Sequence, residues 1–220
     1  MLYRWEAFEM KELVENLARK AGGFLVEHFR KDQTLLKLRS SAKEAITAYD
    51  KMVNDLIIEE IKRHYPHHSL LTEESGFLEG DSNWLWIVDF LDGTGNFASS
   101  NPLFSVCIAL MHGSELLLGA IYAPAINEFY FAERGSGAYL NGERIKVSQI
   151  SELSQSYIFY CEGGEKNRSR TGKMWNKVYP HVMDMRKLGS AGLEIAWVAA
   201  GRGLILPPKL SPGMLPRGFY

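Results

Sequence analysis

Segment 86–97 carries the side chains best suited to chemistry in this chain. An apolar run leads into Asp89 and Asp92, which are followed at once by Gly93 and Thr94. Carboxylates at the end of a buried strand can converge on a hard cation, and a site made only of oxygen ligands favours Mg²⁺ over Zn²⁺. The spacing therefore predicts a magnesium site at this strand end.

Two neighbouring features could complete the site. Glu73 and Glu74 follow another short apolar run and could supply a further carboxylate. The Asp-Gly-Thr sequence leads into an expected helix start, whose free N–H groups and positive dipole end suit a phosphate group. Asp-Gly pairs are also common in turns, and a single aspartate before a helix is more often an N-cap. Turn chemistry explains neither the number of these acids nor their position at buried strand ends.

Histidine and cysteine offer weaker candidates. His67 and His68 follow Pro66 in a polar stretch without Cys or His partners at ligand spacing, so we expect a solvated turn there rather than a metal site. Cys107 and Cys161 each lie in an apolar or strand-like stretch. Buried free thiols in a reducing compartment are therefore expected.

Hydrophobic periodicity predicts the elements that position the acidic residues. Apolar spacing indicates a first helix over about Glu9–Phe29 and a second over Tyr49–Tyr65, with Asp50 in the first turn of the second helix. An Asn141-Gly142 hairpin between Tyr139-Leu140 and Ile145–Val147 and a polar connection between two lobes over Gly163–Gly172 are also expected. Short apolar runs predict five strands, at Ser69–Leu71, Trp84–Val88, Phe104–Met111, Leu116–Tyr122 and Phe129–Ala132.

The composition restricts the class of protein. A chain of 220 residues with 46% hydrophobic content can bury one substantial core or two closely packed lobes. Its net charge of −1 provides no global field for nucleic acid or an anionic membrane surface. Without an apolar run long enough to span a bilayer or serve as a signal sequence, a cytoplasmic protein is expected. Neither a Gly-Lys-Ser phosphate loop nor a dinucleotide fingerprint occurs.

The chain resembles the inositol monophosphatase family of magnesium-dependent, lithium-sensitive sugar phosphatases, from the first helix to about Arg202. The family's signature, an aspartate, two residues, Asp-Gly-Thr, one residue and Asn-Phe, stands here from Asp89 to Phe97. Five blocks occur in the family's order, at Ile46–Asp50, Glu73–Ser75, Asp89–Phe97, Gly135–Gly142 and Arg186–Ala191. The resemblance implies an α/β (α+β) sugar-phosphatase fold of alternating helix and sheet layers. An N-terminal lobe (1–150) would carry the metal and phosphate site, beside an incomplete C-terminal lobe (151–220).

The resemblance also implies roles for individual residues. The Mg²⁺ ligands would be Glu73, Asp89, the Leu91 carbonyl and Asp92. The residues with catalytic roles would be Asp50, Thr94 and Glu73, of which Asp50 and Thr94 position the attacking water. The contacts to substrate would be Gly93 and Thr94 at the phosphate, and Arg186, Gly189, Ser190 and Ala191 at the sugar or polyol.

The implied function is Mg²⁺-dependent hydrolysis of a sugar or polyol phosphate monoester, with inositol 1-phosphate as the leading substrate. Fructose 1,6-bisphosphate, adenosine 3′,5′-bisphosphate and histidinol phosphate are rival substrates within the family. The resemblance further implies a homodimer, with no nucleic-acid or membrane partner. A hypothesis of another class is an inactive remnant that acts only by binding a partner.

The sequence departs from the family pattern at two places. Phe90 stands where the family usually has proline, which should loosen the turn but keeps every charged ligand. Segment 203–220 holds four of the eight prolines and no acidic residue, so neither a strand nor a helix is expected there. A frameshift is one hypothesis, because reading the codons of Pro212–Gly218 one base earlier permits the family's Trp-Asp-Val-Ala-Ala-Gly. The same displacement permits an aspartate at Leu204-Ile205.

Overall fold

The computed structural model describes residues 3–31, 39–160 and 168–206 of a chain that divides into two compact units, 1–144 and 145–220. Its α-helices are α1 (Tyr3–His28), α2 (Arg39–His64), α3 (Thr94–Ala98), α4 (Arg168–Val178) and α5 (Ala191–Ala199). Its strands are β1 (Ser69–Thr72), β2 (Gly76–Leu78), β3 (Trp84–Asp92), β4 (Ser105–His112), β5 (Glu115–Ala123), β6 (Glu128–Glu133), β7 (Gly137–Leu140), β8 (Glu143–Arg144), β9 (Tyr157–Tyr160), β10 (Asp184–Arg186) and β11 (Leu204–Leu206). The predicted mixed α/β fold is confirmed.

The first unit is built on an eight-stranded sheet in the order β2-β1-β3-β4-β5-β6-β7-β8. Strands β1 and β3 are parallel, and every other neighbouring pair in this sheet is antiparallel. Helices α1 and α2 contact each other and strands β3, β4 and β5. The five predicted strands are all present, so the apolar runs identified the centre of the sheet correctly.

The apolar stripes of α1 and α2 form the core with the sheet. Because residues three to four apart share one helix face, each stripe is buried as a unit. The buried stripe residues are Val14, Leu17, Ala21, Leu25, Val53, Ile57 and Ile61. They belong to the same cluster as Trp86 and Leu110 of the central strands and Phe104 just before β4, all fully buried. This core fixes the strand ends that carry the acidic residues.

The second unit contains a parallel three-stranded sheet in the order β10-β9-β11. Alternate residues of β9 point to opposite faces of the sheet. Tyr160 meets Trp175 of α4, and Phe159 meets Trp197 of α5, each pair with ring centroids 5.6 Å apart. Helices therefore cover both faces, as is usual for a parallel sheet.

The start of α2 differs from the prediction. The helix begins at Arg39 rather than near Tyr49, so the block Ile46–Asp50 is helical and Asp50 lies well inside the helix rather than in its first turn. Segment 39–50 contains neither proline nor glycine and includes three alanines, one arginine, one lysine and one glutamate. These residues favour helix and explain the earlier start.

Other boundaries also differ. Asn141 and Gly142 have φ angles of 49° and 87°, as the predicted hairpin turn requires. However, the returning strand is β8, with Leu140 paired to Glu143, so Ile145–Val147 was the wrong partner. The expected inter-lobe connection at Gly163–Gly172 is also wrong in part, because α4 begins at Arg168 and the units divide after Arg144. Residues 161–167, including Cys161, lie outside the described residues.

The region after Gly203 contains a strand that the sequence did not predict. Leu204, Ile205 and Leu206 pair with Ile158, Phe159 and Tyr160 of β9. Three consecutive apolar residues suffice for this short pairing because the prolines begin only at 207. The frameshift hypothesis for 212–218 falls outside the described residues and stays a prediction. Among the described residues, no helix has the length and apolarity to cross a membrane.

Candidate active site

The acidic residues meet at one edge of the large sheet. Thr72 at the end of β1 pairs with Val88 of the parallel strand β3. Glu73 and Asp89 are the next residues on these two strands, so the parallel pairing brings their backbones side by side. Strand β3 continues beyond its predicted end at Val88 and reaches Asp92. Asp89 and Asp92 therefore lie within the last residues of β3 rather than after the strand.

The ladder between β3 and β4 is irregular between Asp89 and Asp92, and two buried residues occupy the irregularity. Phe90 and Leu91 are each 4% exposed. The Leu91 N–H donates to Asp89 Oδ1 at 3.1 Å, and the Thr94 hydroxyl donates to the Leu91 carbonyl at 3.0 Å. These bonds hold the peptide of Leu91 between Asp89 and Thr94. Phe90, in the position where proline was expected, keeps this segment anchored through its burial in the core.

Gly93 makes the turn from β3 into α3. Its φ of 89° lies in the left-handed region that glycine adopts without strain. The Gly93 carbonyl accepts hydrogen bonds from the N–H groups of Asn96 and Phe97. The predicted helix start is confirmed, and the Thr94 amide lies in its first turn, where helical N–H groups have no intrahelical acceptor.

The carboxylates repel one another across this edge. Burial, followed by the charges of Asp92 and Glu73, raises the pKa of Asp89 from 3.8 to about 7. The Leu91 N–H opposes this rise because it stabilises the ionised form. Burial and like charges disfavour the ionised form of this carboxyl. A bound cation would stabilise the ionised form again, so the site favours cation binding.

The donor set fits a hard divalent cation. A cavity of about 30 Å³, the space of a single water molecule or ion, is lined by Glu73, Glu74, Asp89, Phe90, Leu91 and Thr94. The polar side chains among these residues offer carboxylate and hydroxyl oxygens. Within the described side chains, no three Asp, Glu, His or Cys residues already converge as a closed metal cage. The charges of Asp92 and Glu73 nevertheless act on Asp89, and the side chains of Glu73 and Glu74 are exposed.

Three residues beside the acids were not predicted from the sequence. Ser105 of β4 pairs with Asp92 and donates its hydroxyl to Asp92 Oδ2 at 2.8 Å. Cys107 pairs with Asp89, and burial together with the two aspartates raises the pKa of its thiol. Asn54 of α2 donates to the Ser75 hydroxyl at 2.8 Å and so ties the helix to the turn that carries Glu73. A polar residue at the start of an apolar strand was the only sequence signal for Ser105.

The family model described as the inositol monophosphatase family matches residues 7–207. The chain belongs to the inositol monophosphatase family. The match runs five residues beyond the predicted limit near Arg202 and includes β11. This family consists of phosphatases that are generally Mg²⁺-dependent, in agreement with the oxygen-rich donor set.

Named relatives of this inositol monophosphatase family phosphatase support the assignment. A Thermotoga maritima protein named fructose-1,6-bisphosphatase/inositol-1-monophosphatase is 37% identical over 187 residues, 84% of this chain and 70% of that protein. Nus factor SuhB of Escherichia coli is 34% identical over 196 residues, covering 88% and 73% of the two chains. The crystal structure of extragenic suppressor protein SuhB from Bartonella henselae aligns with a TM-score of 0.76 and 32% identity, covering 89% of this chain and 75% of that chain.

Three of the four predicted sugar-contacting residues of this phosphatase, Gly189, Ser190 and Ala191, lie together at the start of α5. Ser190 is the N-cap, and its hydroxyl accepts from the Leu193 N–H at 3.4 Å. Gly189 precedes it with a φ of 80°. Glu194, 1% exposed, accepts hydrogen bonds from the N–H groups of Leu188 and Gly189. The loop that leads into Ala191 is therefore fixed by its own helix, through a buried carboxyl that the sequence did not single out.

Arg186 and Asp50 have less defined surroundings. Arg186, in β10, is half-exposed, pairs with Asp184 at 3.2 Å and covers the ring of Tyr157. It belongs to the same unit as Gly189–Ala191. Asp50 lies within α2, and its side chain falls outside the described part of the structure.

His68 contradicts the prediction of a solvated turn. The side chain is 7% exposed, its ring stacks against Tyr65 and Trp84, and its Nδ1 accepts a hydrogen bond from Trp86 Nε1 at 3.0 Å. Burial lowers the pKa of His68 to about 4. His67 does behave as predicted, since it is exposed and pairs with Asp81. Two of the aromatic neighbours of His68, Trp84 and Trp86, come from β3 and could not be anticipated from the local turn.

Proposed function

We propose that this chain hydrolyses a phosphate monoester of a sugar or polyol in an Mg²⁺-dependent reaction, with inositol 1-phosphate as the leading substrate. The observation that carries the proposal is the carboxylate edge of β1 and β3, where the charges of Asp92 and Glu73 help to raise the pKa of Asp89 to about 7. Such mutual repulsion is characteristic of sites built to hold cations. Helix α3 begins at Thr94, directly after this segment, so its first N–H groups would meet a phosphate next to the cation.

In this proposal the protein supplies the cation ligands. They are Glu73, Asp89, Asp92 and the Leu91 carbonyl, which the Thr94 hydroxyl already orients. When bound, Mg²⁺ would lower the pKa of a water molecule and would neutralise negative charge on the phosphate and the leaving oxygen. Because water can then attack phosphorus directly, no nucleophilic side chain is required.

The remaining residues would orient the reactants. Asp50 and Thr94 would position the attacking water, with Glu73 assisting from the end of the neighbouring strand β1. The backbone amides of Gly93 and Thr94 would bind the phosphate, because the first N–H groups of a helix are free to meet an anion. Positioning of this kind accounts for much of phosphoryl-transfer catalysis.

The sugar or polyol would be bound by Gly189, Ser190, Ala191 and Arg186. A rigid loop held by Glu194 suits the recognition of ring hydroxyls, since fixed donors and acceptors discriminate between them. The Thermotoga maritima relative is named for both activities, which supports inositol 1-phosphate and fructose 1,6-bisphosphate as candidate substrates. Adenosine 3′,5′-bisphosphate and histidinol phosphate complete the substrates to be compared.

A second candidate is a role exerted through a binding partner, with or without catalysis. Its support is the name Nus factor SuhB, which several relatives carry. The absence of nucleic-acid partners, the homodimer and the cytoplasmic location therefore stay predictions. Catalysis and partner binding need not use the same residues. A variant that has lost turnover therefore shows whether partner binding is independent of catalysis.

The experiment is phosphate release by the purified chain from each of the four substrates, with Mg²⁺ and with excess chelator. We expect release that requires Mg²⁺ and is fastest with inositol 1-phosphate. Full activity in excess chelator would reject the cation-dependent mechanism. A higher kcat/KM with another of the four esters would reject inositol 1-phosphate while keeping the reaction class.

A further inference from the structure

Ser105 makes the most direct contact with an acidic residue of the candidate site. It opens β4, is fully buried, and pairs in the ladder with Asp92. Its hydroxyl donates to Asp92 Oδ2 at 2.8 Å. A short bond from a buried hydroxyl to a carboxylate is charge-assisted and stronger than one between neutral groups.

We propose that Ser105 is a positioning residue that fixes the Asp92 carboxylate for cation binding. This inference rests on the proposed function, because it assumes that Asp92 is a cation ligand. A hydroxyl has one proton, and here that proton is used by Oδ2. The hydrogen bond therefore ties the Asp92 carboxylate to β4.

Cys107 extends the arrangement along the same strand. Its Sγ lies 3.8 Å from the Ser105 oxygen, and either atom could be the donor in isolation. Because the serine proton is committed to Asp92, the thiol must be the donor in this pair. The order is thus Cys107 to Ser105 to Asp92, and it orients the serine hydroxyl before any cation arrives. Both residues lie on β4, next to the strand of the two aspartates. Cys107 pairs with Asp89, and Ser105 pairs with Asp92.

A purely structural serine would contribute to stability alone. A positioning serine also changes affinity for the cation, since hydrogen-bond partners of ligands commonly alter metal affinity by about 10- to 100-fold. The two roles are separated by measuring Mg²⁺ binding without substrate, in addition to the melting temperature.

The test compares Ser105→Ala with a matched control, Ser69→Ala. Ser69 is also a buried serine of this sheet, and its hydroxyl accepts from the Gly80 N–H at 3.0 Å. It pairs with Leu85, so it lies about 23 Å along β3 from Asp92. Isothermal titration calorimetry of the full chain with Mg²⁺ should show at least about 10-fold weaker binding for Ser105→Ala. Ser69→Ala should bind Mg²⁺ as the wild type does.

Further arms keep the outcomes distinct. If Ser105→Ala does not fold, Ser105→Cys serves instead, because its side chain is of similar size and is only a weak donor. Ser105→Thr keeps the hydroxyl and should bind Mg²⁺ more tightly than Ser105→Ala. Mg²⁺ binding by Ser105→Ala equal to that of the wild type would overturn the inference and leave Ser105 as a structural residue. Failure of the wild type itself to bind Mg²⁺ would instead overturn the proposed function, and the inference with it.

Discussion

Replacing Asp89 by asparagine should stabilise the metal-free protein at alkaline pH while removing a cation ligand. Burial and the charges of Asp92 and Glu73 raise the pKa of Asp89 from 3.8 to about 7. The folded state therefore binds one more proton than the unfolded state between these values, and the free energy of unfolding falls as pH rises through that window. A difference of about three pH units at 1.36 kcal/mol each sets an upper limit of roughly 4 kcal/mol.

Asparagine removes this cost because it cannot ionise. It retains Oδ1, which accepts the Leu91 N–H, and it hardly changes the side-chain volume. In chelator at pH 8, Asp89→Asn should be more stable than the wild type by about 2 to 4 kcal/mol, and at pH 4 the two should be nearly equal. Saturating Mg²⁺ should reduce or reverse the gain, because the cation stabilises only the protein that binds it.

Urea denaturation at several pH values, with chelator and with Mg²⁺, measures these differences. Glu79→Gln is the control, since Glu79 is an exposed acid of the same unit. Its substitution should leave the pH dependence unchanged. Equal stability of Asp89→Asn and the wild type in chelator at pH 8 would refute the electrostatic account of the site.

Two further substitutions test the surroundings of the site. His68→Gln keeps an acceptor for Trp86 but cannot titrate. Burial lowers the pKa of His68 to about 4 in the folded wild type. As pH falls from 6.5 to 4, the free energy of unfolding of the wild type should therefore fall by up to roughly 3 kcal/mol relative to this variant. Acid titration of stability by circular dichroism measures this, and parallel curves would contradict it. Asn54→Ala removes a 1% exposed side chain that donates to Ser75 and Asp55, and should cost about 1 to 3 kcal/mol in urea denaturation. Unchanged stability would mean that α2 does not depend on this connection.

The sequence predicted the site as far as local pattern reaches. Apolar runs located β1 and β3, and the acids after each run could be assigned to strand ends. The pairing of Thr72 with Val88, which places Glu73 beside Asp89, required the parallel register that only the fold provides. Signature residues and strand ends were therefore predictable, whereas their mutual distances were not.

Contacts between distant segments account for the errors. His68 was misjudged because its burial depends on Trp84 and Trp86, which lie in another strand. Ser105 was overlooked because its role depends on cross-strand pairing with Asp92. The early start of helix α2 has a local cause instead. Helix propensity continues upstream of the apolar stripe from which the helix was predicted.

The most direct test of the central claim is phosphate release by Asp92→Asn from inositol 1-phosphate at saturating Mg²⁺. The substitution removes a charge from the carboxylate edge and keeps nearly the same volume, so the circular dichroism spectrum should match that of the wild type. Losing charge stabilisation at the reacting phosphate commonly costs several kcal/mol of barrier, on the order of 10²-fold or more in rate. We predict that turnover falls below detection in a folded protein. Turnover unchanged within error would show that this edge of the sheet is not the catalytic centre.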